Sequence, residues 1–326
     1  MSRPVGIGVI GSTSTVARLA VVPAIERSRA CVLAATASRS DASATYRSYE
    51  ALLEDPAVEA VYIPLPNSLH RQWTERAAAA GRHVLCEKPL APTAGDALAM
   101  AQACEAAGVR LMEAYMTHFH PRDRRLRRLV ASGLLGEVIF ASSAFTGVLD
   151  RPDDHRWHPE MGGGALLDVG IYCLSPLLSA FGVGPREAGS VEAVSTALRT
   201  GGSGVDASFS GWLGFGGGRA ASFQCSFEAP ERQQLELVGT SAALSLERPF
   251  TPGPEDRSIR LVRRDGTVES LSTEGADPYL AMVDHFAAVV RGRAEPERPP
   301  EDSVGLQRLV DRLLRSASVD RPGEAR

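Results

Sequence analysis

Cys86-Glu87-Lys88-Pro89 puts an ammonium group directly behind a short apolar run, His83-Val84-Leu85, that reads as a buried parallel strand. A lysine just past the carboxyl end of such a strand points into the crevice where open α/β sheets bind ligands. A second segment supplies a phenol: Gly162-Gly163-Gly164-Ala165-Leu166-Leu167-Asp168-Val169-Gly170-Ile171-Tyr172. A carbonyl that receives hydride develops negative charge on oxygen, and a proton donor backed by a cation stabilises that charge as it forms. Lys88 as cation and Tyr172 as donor therefore suggest nicotinamide-dependent reduction of a carbonyl, or the reverse oxidation of an alcohol. Taken singly, each has a plainer account: Lys88 as the salt-bridge partner of Glu87, Tyr172 as a helix residue with its ring in the core. Only the pair favours catalysis.

Hydride chemistry needs a dinucleotide site. The pattern Gly6-x-Gly8-x-x-Gly11 is rejected, because Gly6 and Gly8 fall inside the first strand and a phosphate turn must follow it. The turn runs instead from Gly11 through Ser12, Thr13, Ser14, Thr15 and Val16 to Ala17. There, backbone N–H groups and a helix N-terminus would meet a pyrophosphate. A polar strand-to-helix turn capped by Ser or Thr is the bland alternative. NAD sites place Asp or Glu at the end of the second strand, on the ribose 2′-hydroxyl. This chain has Ala37-Ser38-Arg39-Ser40. Arg39 can pair with a 2′-phosphate and Ser38 can donate to it, so the expected cofactor is NADP(H).

Other polar residues are candidates for the same cleft. Gly162 to Gly164 would let backbone pass close to a ligand. Asp168 precedes Tyr172 by four residues, which on a helix is one face. Arg156 suits a phosphate or sugar oxygen, and Trp157 could stack on a sugar or base. His155 and His158 lack further ligands at zinc spacing, so no metal is expected. Glu113, Tyr115, His118 and His120 follow the last strand of the first block, and His70 starts a helix near the expected nicotinamide position. The run Arg122 to Arg128 reads as a solvated basic face.

The elements that must position these residues alternate over the first ~115 residues, the signature of a parallel sheet with crossover helices. Strands are expected at Val5 to Ile10, Cys31 to Ala37, Val58 to Ile63, His83 to Cys86 and Val109 to Met112. Helices are expected at Val16 to Glu26, Leu69 to Ala80 and Ala94 to Ala107, the last two stopped by Gly81 and Gly108. A helix over Arg122 to Ser132 follows. From Gly136 to about Leu271 the language is that of antiparallel strands, as in Val138 to Phe145, Ala207 to Leu213, Ala220 to Phe227 and Leu235 to Val238. Helical spacing returns at Tyr279 to Val290 and Val304 to Leu314. The expectation is an α/β protein: a dinucleotide-binding domain over residues 1–118 and an α+β domain over 119–326 with a large, mainly antiparallel sheet.

The bulk numbers fit. The chain has 326 residues, 44% hydrophobic and 23% charged, ordinary for a globular protein of two domains. A net charge of −4 gives no reason to expect nucleic acid or an anionic membrane as partner. Five scattered cysteines without a C-x-x-C pair suggest reduced, mostly buried thiols and a cytoplasmic location. No secretory signal is read at Met1-Ser2-Arg3-Pro4, and no apolar stretch is taken to approach the ~20 residues of a membrane span.

These segments resemble the glucose–fructose oxidoreductase / inositol dehydrogenase (Gfo/Idh/MocA) family over nearly the whole chain. The resemblance rests on Gly11 to Ala17, Pro64-Leu65-Pro66-Asn67-x-x-His70, Gly81-x-His83-Val84-Leu85-Cys86-Glu87-Lys88-Pro89 and the Gly162-to-Tyr172 block. It implies a Rossmann domain, a C-terminal domain with an open, mainly antiparallel sheet, and a homo-oligomer, dimer or tetramer, joined through that sheet. It also implies cofactor contacts from the Gly11 turn, Ser38, Arg39, Leu65, Pro66, Asn67, His70, Glu87 and Lys88. Substrate contacts are expected from Lys88, Tyr115, Arg156, Trp157, Asp168 and Tyr172, and for Lys88 and Tyr172 the resemblance implies the roles of substrate-binding cation and proton donor. Two departures stand out: the phosphate turn is Ser/Thr-rich and about one residue longer than is usual in the family, and Tyr172 stands where many inositol-type members have His. The likeness is strongest to NDP-hexose 3-ketoreductases of deoxysugar biosynthesis. It implies NADPH-dependent reduction at C3 of a dTDP-linked 3,4-diketo-2,6-dideoxyhexose. An aldose or dihydrodiol dehydrogenase with the same Lys and Tyr is the first rival, and a non-catalytic NADP-binding protein the second.

Overall fold

The computed structural model describes residues 3–200, 204–317 and 319–320. Two compact units emerge: Met1–Phe119 with Asp277–Val304, and His120–Ala276 with Gly305–Arg326. The first unit thus takes in a segment that the sequence boundary at 118/119 gives to the second domain.

Unit one is built on five parallel strands, β1 (Val5–Ile10), β2 (Cys31–Ala37), β3 (Ala60–Ile63), β4 (His83–Glu87) and β5 (Leu111–Ala114), in the order β2-β1-β3-β4-β5. Every residue of β1, β3 and β5 is buried. Such strands read as continuous apolar runs because helices cover both faces of a parallel sheet. The helices are α1 (Val22–Arg27), α2 (Tyr49–Glu54), α3 (His70–Ala79) and α4 (Ala94–Ala106). Gly81 and Gly108, with φ of +72° and +67°, end α3 and α4 where the sequence places their stops. Gly6 and Gly8 are packing residues of β1. A Cβ on Gly6 would meet the Ala57 carbonyl at 2.1 Å, and one on Gly8 would meet Leu52 at 2.7 Å. α2 is not anticipated by periodicity; it is a short helix capped by Ser48, whose Oγ accepts from the Ala51 N–H.

The returning segment has physical reasons to join this unit. Asp277 caps a helix over Pro278–Val290 by accepting from the Tyr279 N–H at 2.8 Å. That helix turns Met282, Val283 and Phe286 inward, and the Val283 carbonyl accepts from the Cys31 thiol at 3.3 Å. Arg291 bridges to Glu59 at 2.8 Å, and Arg298 pairs with Glu113 at 2.5 Å, both of the latter 3% exposed. The helical period is readable; the strands it serves are not.

Unit two opens with α5 (Pro121–Ala131) and carries β6 (Val138–Val148), α6 (Ile171–Ala180), β7 (Glu192–Thr200), β8 (Asp206–Gly214), β9 (Ala220–Ser226), β10 (Glu228–Gly239), β11 (Ala242–Glu247), β12 (Ser258–Arg263) and β13 (Val268–Ser272). With β14 (Val319–Asp320) these form a nine-stranded sheet in the order β13-β12-β11-β10-β6-β9-β8-β7-β14. Its pairings are antiparallel except β6 with β9 and β14 with β7, which fulfils the mainly antiparallel expectation. The α6 helix packs its apolar side on β6 and β9.

Two expectations are corrected here. The segment Pro159–Ala180 spans 22 residues and is apolar enough, by length and composition, to cross a bilayer, and 67% of its apolar window is buried within the protein. Second, the basic run is not wholly solvated: Arg122 is 3% exposed. All five cysteines are buried thiols.

Candidate active site

In unit one the strand order reverses direction beside β1, and ligands of such sheets bind beyond the carboxyl ends at that point. Gly11 begins the turn there with φ +90°, and a Cβ on it would lie 2.6 Å from a Leu65 methyl. Its N–H and that of Ser12 both donate to the Ala37 carbonyl, at 2.9 and 3.1 Å, and Ser14 N–H donates to Gly11 at 3.1 Å. Those three amides are therefore committed to shaping the turn. The Ser12 hydroxyl is buried without a protein partner, as expected of a group that meets a phosphate. Thr13 and Thr15 are exposed, and Val16 leads into a π-turn at Ala17–Val21 in place of the α-helix expected from residue 16. Such i→i+5 turns are frequent at functional sites.

At the end of β2, Arg39 is exposed and its guanidinium lies 5.5 Å from the Tyr49 ring centroid. Arg47 donates to the Arg39 carbonyl at 2.9 Å and holds the loop. Ser38 is 1% exposed, and its Oγ accepts from the Ser40 and Asp41 N–H groups at 3.2 and 3.0 Å. It shapes the turn that presents Arg39. Asp41 escapes the sequence reading. Its carboxylate is held by the Ser43 hydroxyl and N–H, at 2.7 and 2.9 Å, which with the charges of Arg18 and Arg47 keeps it more acidic than usual. The residues present fit a cofactor bearing a 2′-phosphate.

The Lys88 loop is held from several sides. The Tyr62 hydroxyl donates to Glu87 Oε1 at 2.6 Å, and the Lys88 N–H donates to Oε2 at 3.2 Å. Burial raises the Glu87 pKa, while Tyr62 and the Lys88 charge oppose that rise. Glu87 is therefore an internal anchor. The Lys88–Pro89 peptide is cis, and Leu90 N–H donates to Glu113 at 2.8 Å. His70 was expected beside the nicotinamide. It is fully buried, with Nε2 2.8 Å from the Leu65 carbonyl and Nδ1 3.0 and 3.2 Å from those of Pro89 and Leu90. It joins the turn after β3, where Pro66 and the buried Asn67 sit, to the Lys88 loop. Tyr115 is 2% exposed, with the Arg298 guanidinium 4.6 Å from its ring centroid. Its ring is enclosed, and a direct hold on substrate gives way to packing.

Unit two carries the phenol. Tyr172 is the second residue of α6, 7% exposed, with its ring against Phe145 and Phe250. The preceding turn, Leu166–Gly170, is π rather than α, so Asp168 and Tyr172 lack the α-helical register the sequence suggests. Asp168 accepts from Arg156 Nε at 2.8 Å, and Arg156 also reaches Asp154 at 3.1 Å; the Asp168 charge raises the Arg156 pKa. Trp157 packs edge-on to Phe227 at 5.4 Å and donates to the Leu149 carbonyl at 3.3 Å. Those contacts account for it as a packing residue.

The glycines here are explained by protein. A Cβ on Gly163 would meet the Arg156 carbonyl at 2.3 Å; on Gly164, with φ +120°, it would meet Asp206 at 2.1 Å. Asp206 is a second residue the sequence reading misses. Its carboxylate accepts from the Leu166 N–H at 2.6 Å, at the start of the helix carrying Tyr172, and burial pushes its pKa up to about 7. A lone acid between the apolar Val205 and Ala207 is the signal that could have found it.

Known proteins resemble this arrangement. A family model for an oxidoreductase family with an NAD-binding Rossmann fold matches residues 5–115, and one for the GFO/IDH/MocA C-terminal domain matches 124–245. A D-xylose 1-dehydrogenase (NADP(+)) of Haloferax volcanii is 38% identical over 324 residues, covering 96% of this chain and 97% of its own. A dTDP-3,4-didehydro-2,6-dideoxy-alpha-D-glucose 3-reductase of Saccharopolyspora spinosa is 33% identical over 342 residues, covering 100% and 98%. Among solved structures, the 3-ketoreductase KijD10 of Actinomadura kijaniata, in complex with NADP and TDP-benzene, superposes with a TM-score of 0.88 at 28% identity, covering 98% of this chain and 99% of that one.

Proposed function

The chain belongs to the Gfo/Idh/MocA oxidoreductases, and from that premise we propose that it is an NADPH-dependent ketoreductase acting at C3 of a dTDP-linked 3,4-diketo-2,6-dideoxyhexose. The observation that carries the reading is the full-length likeness to KijD10 and to dTDP-sugar 3-reductases, joined to a lysine and a tyrosine suited to carbonyl reduction.

When bound, the reduced nicotinamide supplies the hydride. The chain's own residues do the rest. The Gly11 turn and the Ser12 hydroxyl receive the pyrophosphate. Arg39 pairs with the 2′-phosphate, with no carboxylate in Ala37-Ser38-Arg39-Ser40 to oppose it. Lys88 Nζ offsets the charge that grows on the carbonyl oxygen. Tyr172 Oη gives that oxygen its proton, so the ketone leaves as the alcohol. Arg156, held by Asp168, bears on substrate oxygens. A homo-oligomer through the large sheet and a cytoplasmic location complete the proposal; Trp212 on β8, 47% exposed, is one of several exposed apolar residues of that sheet.

A second reading has its own support: the 38% identity to the NADP-dependent xylose dehydrogenase. One experiment separates the two. The protein is incubated with NADPH and enzymatically made dTDP-3,4-diketo-2,6-dideoxyhexose, and in parallel with NADP+ and D-xylose. A C3-reduced dTDP-sugar identified by mass and NMR supports the first reading; oxidation of free xylose without it supports the second.

A further inference from the structure

Tyr172 stands in a small aromatic group with Phe145 and Phe250, and a distant arginine of the same unit binds the chain just before Phe250. Its ring lies 5.9 Å from that of Phe145 and 6.1 Å from that of Phe250, and the two phenylalanines stack at 5.4 Å and 21°. Phe145 belongs to β6 and is fixed by the sheet. Phe250 belongs to the loop after β11, and that loop is held from outside. The Gln233 side-chain carbonyl accepts from the N–H groups of Phe250 and Thr251, at 3.2 and 3.0 Å. Arg122, in the first turn of α5, donates to the carbonyls of Glu247 and Arg248, at 3.0 and 2.6 Å.

Arg248 is the only non-glycine residue with positive φ among the described residues, at +46°. That conformation is disfavoured for an L side chain and persists only where the surroundings impose it. Arg122 is 3% exposed, and a guanidinium at that depth needs its N–H groups satisfied. Two carbonyls on either side of the strained residue satisfy it. The first turn of α5 is fixed in turn by His120, whose Nδ1 accepts from the Arg122 N–H at 3.1 Å.

We propose that Arg122 is a positioning residue for Tyr172: its fork on the Glu247 and Arg248 carbonyls holds the left-handed turn at Arg248 and thereby seats Phe250 against the Tyr172 ring. This rests on the reading of Tyr172 as proton donor, because the ring's seat sets the direction in which Oη is presented. The contacts to the ring itself are independent of that reading.

The test follows the ring directly. Protein with 13C-labelled tyrosine rings is made as wild type, Arg122→Met, Phe250→Leu and the double variant, and the Tyr172 signal is assigned by its loss in Tyr172→Phe. Arg122→Met moves the Tyr172 signal by more than its linewidth and lowers kcat about tenfold, with circular dichroism and NADPH affinity unchanged. Because Arg122 acts through Phe250, the double variant moves the signal no further than Phe250→Leu alone. An unmoved signal in Arg122→Met, or two effects that simply add, overturns the proposal. Should Arg122→Met not fold, Arg122→Lys takes its place, keeping the charge and losing the fork, with the same expectations. Full turnover in Tyr172→Phe would refute the proton-donor role and leave the ring's dependence on Arg122 standing.

Discussion

Arg156 Nε lies 2.8 Å from an Asp168 carboxylate oxygen, so two charged groups that the sequence offers to a substrate are first of all partners of each other. Their side chains are 33% and 16% exposed, which screens the pair and limits its worth to stability.

Asp168→Asn is therefore expected to cost about 1 kcal/mol of stability or less. It leaves Arg156 held by Asp154 alone and raises KM for the sugar several-fold more than it lowers kcat. Urea unfolding together with steady-state kinetics checks both halves. A large stability loss with unchanged KM would make the pair purely structural.

Replacing Arg39 tests cofactor choice. One charge-assisted contact is worth about 1.5–3 kcal/mol, roughly ten- to a hundredfold in affinity. Arg39→Ala should weaken NADPH by that factor in titration calorimetry and leave NADH nearly unchanged. Equal losses for both cofactors would remove Arg39 from the 2′-phosphate.

The Glu113–Arg298 pair is a different case, because both groups are 3% exposed. Glu113 also accepts from Leu90 N–H and from the Ser303 hydroxyl, at 2.8 and 2.7 Å. Glu113→Gln removes the carboxylate charge beside Arg298, and breaking a buried pair in this way costs about 3–5 kcal/mol. Denaturant unfolding should show a loss of that order, whereas one below about 1 kcal/mol would mean that water reaches the pair.

Asp206 gives stability a pH dependence. Burial pushes its pKa up to about 7, well above the ordinary carboxylate value of 3.8, so the native state binds the extra proton between those limits. Stability from this group is present at low pH and falls as pH rises through that window, levelling off above about 7. Asp206→Asn removes this slope. Unfolding free energies measured from pH 5 to 8 should fall with rising pH in the wild type more steeply than in the variant. Parallel curves would show that Asp206 titrates normally.

Much of this arrangement is legible in the sequence because the signals are local. The runs Val5 to Ile10 and Cys31 to Ala37 coincide with β1 and β2; β1 is buried throughout, as a strand covered on both faces is, while the edge strand β2 is only partly buried and is marked by its mostly apolar residues. Gly81 and Gly108 mark the helix ends they were expected to mark. What is not legible depends on partners far away in the chain. Helix 278–290 has a clear period, yet the unit it joins is shown by partners far away in the chain, among them the Cys31 thiol on the Val283 carbonyl and the Phe119 ring beside His285. His70, Tyr115 and Trp157 are residue types that suit a ligand, and each is occupied by protein. Arg122 sits in a basic run that looks solvated, and its burial is decided by two carbonyls about 125 residues away.

The measurement that bears most directly on the central claim compares Lys88→Ala and Tyr172→Phe with wild type in turnover of the dTDP-ketosugar, alongside NADPH affinity for each. The account predicts turnover lower by ~10²-fold or more in both variants, with NADPH affinity nearly unchanged. Wild-type turnover in either one would contradict it.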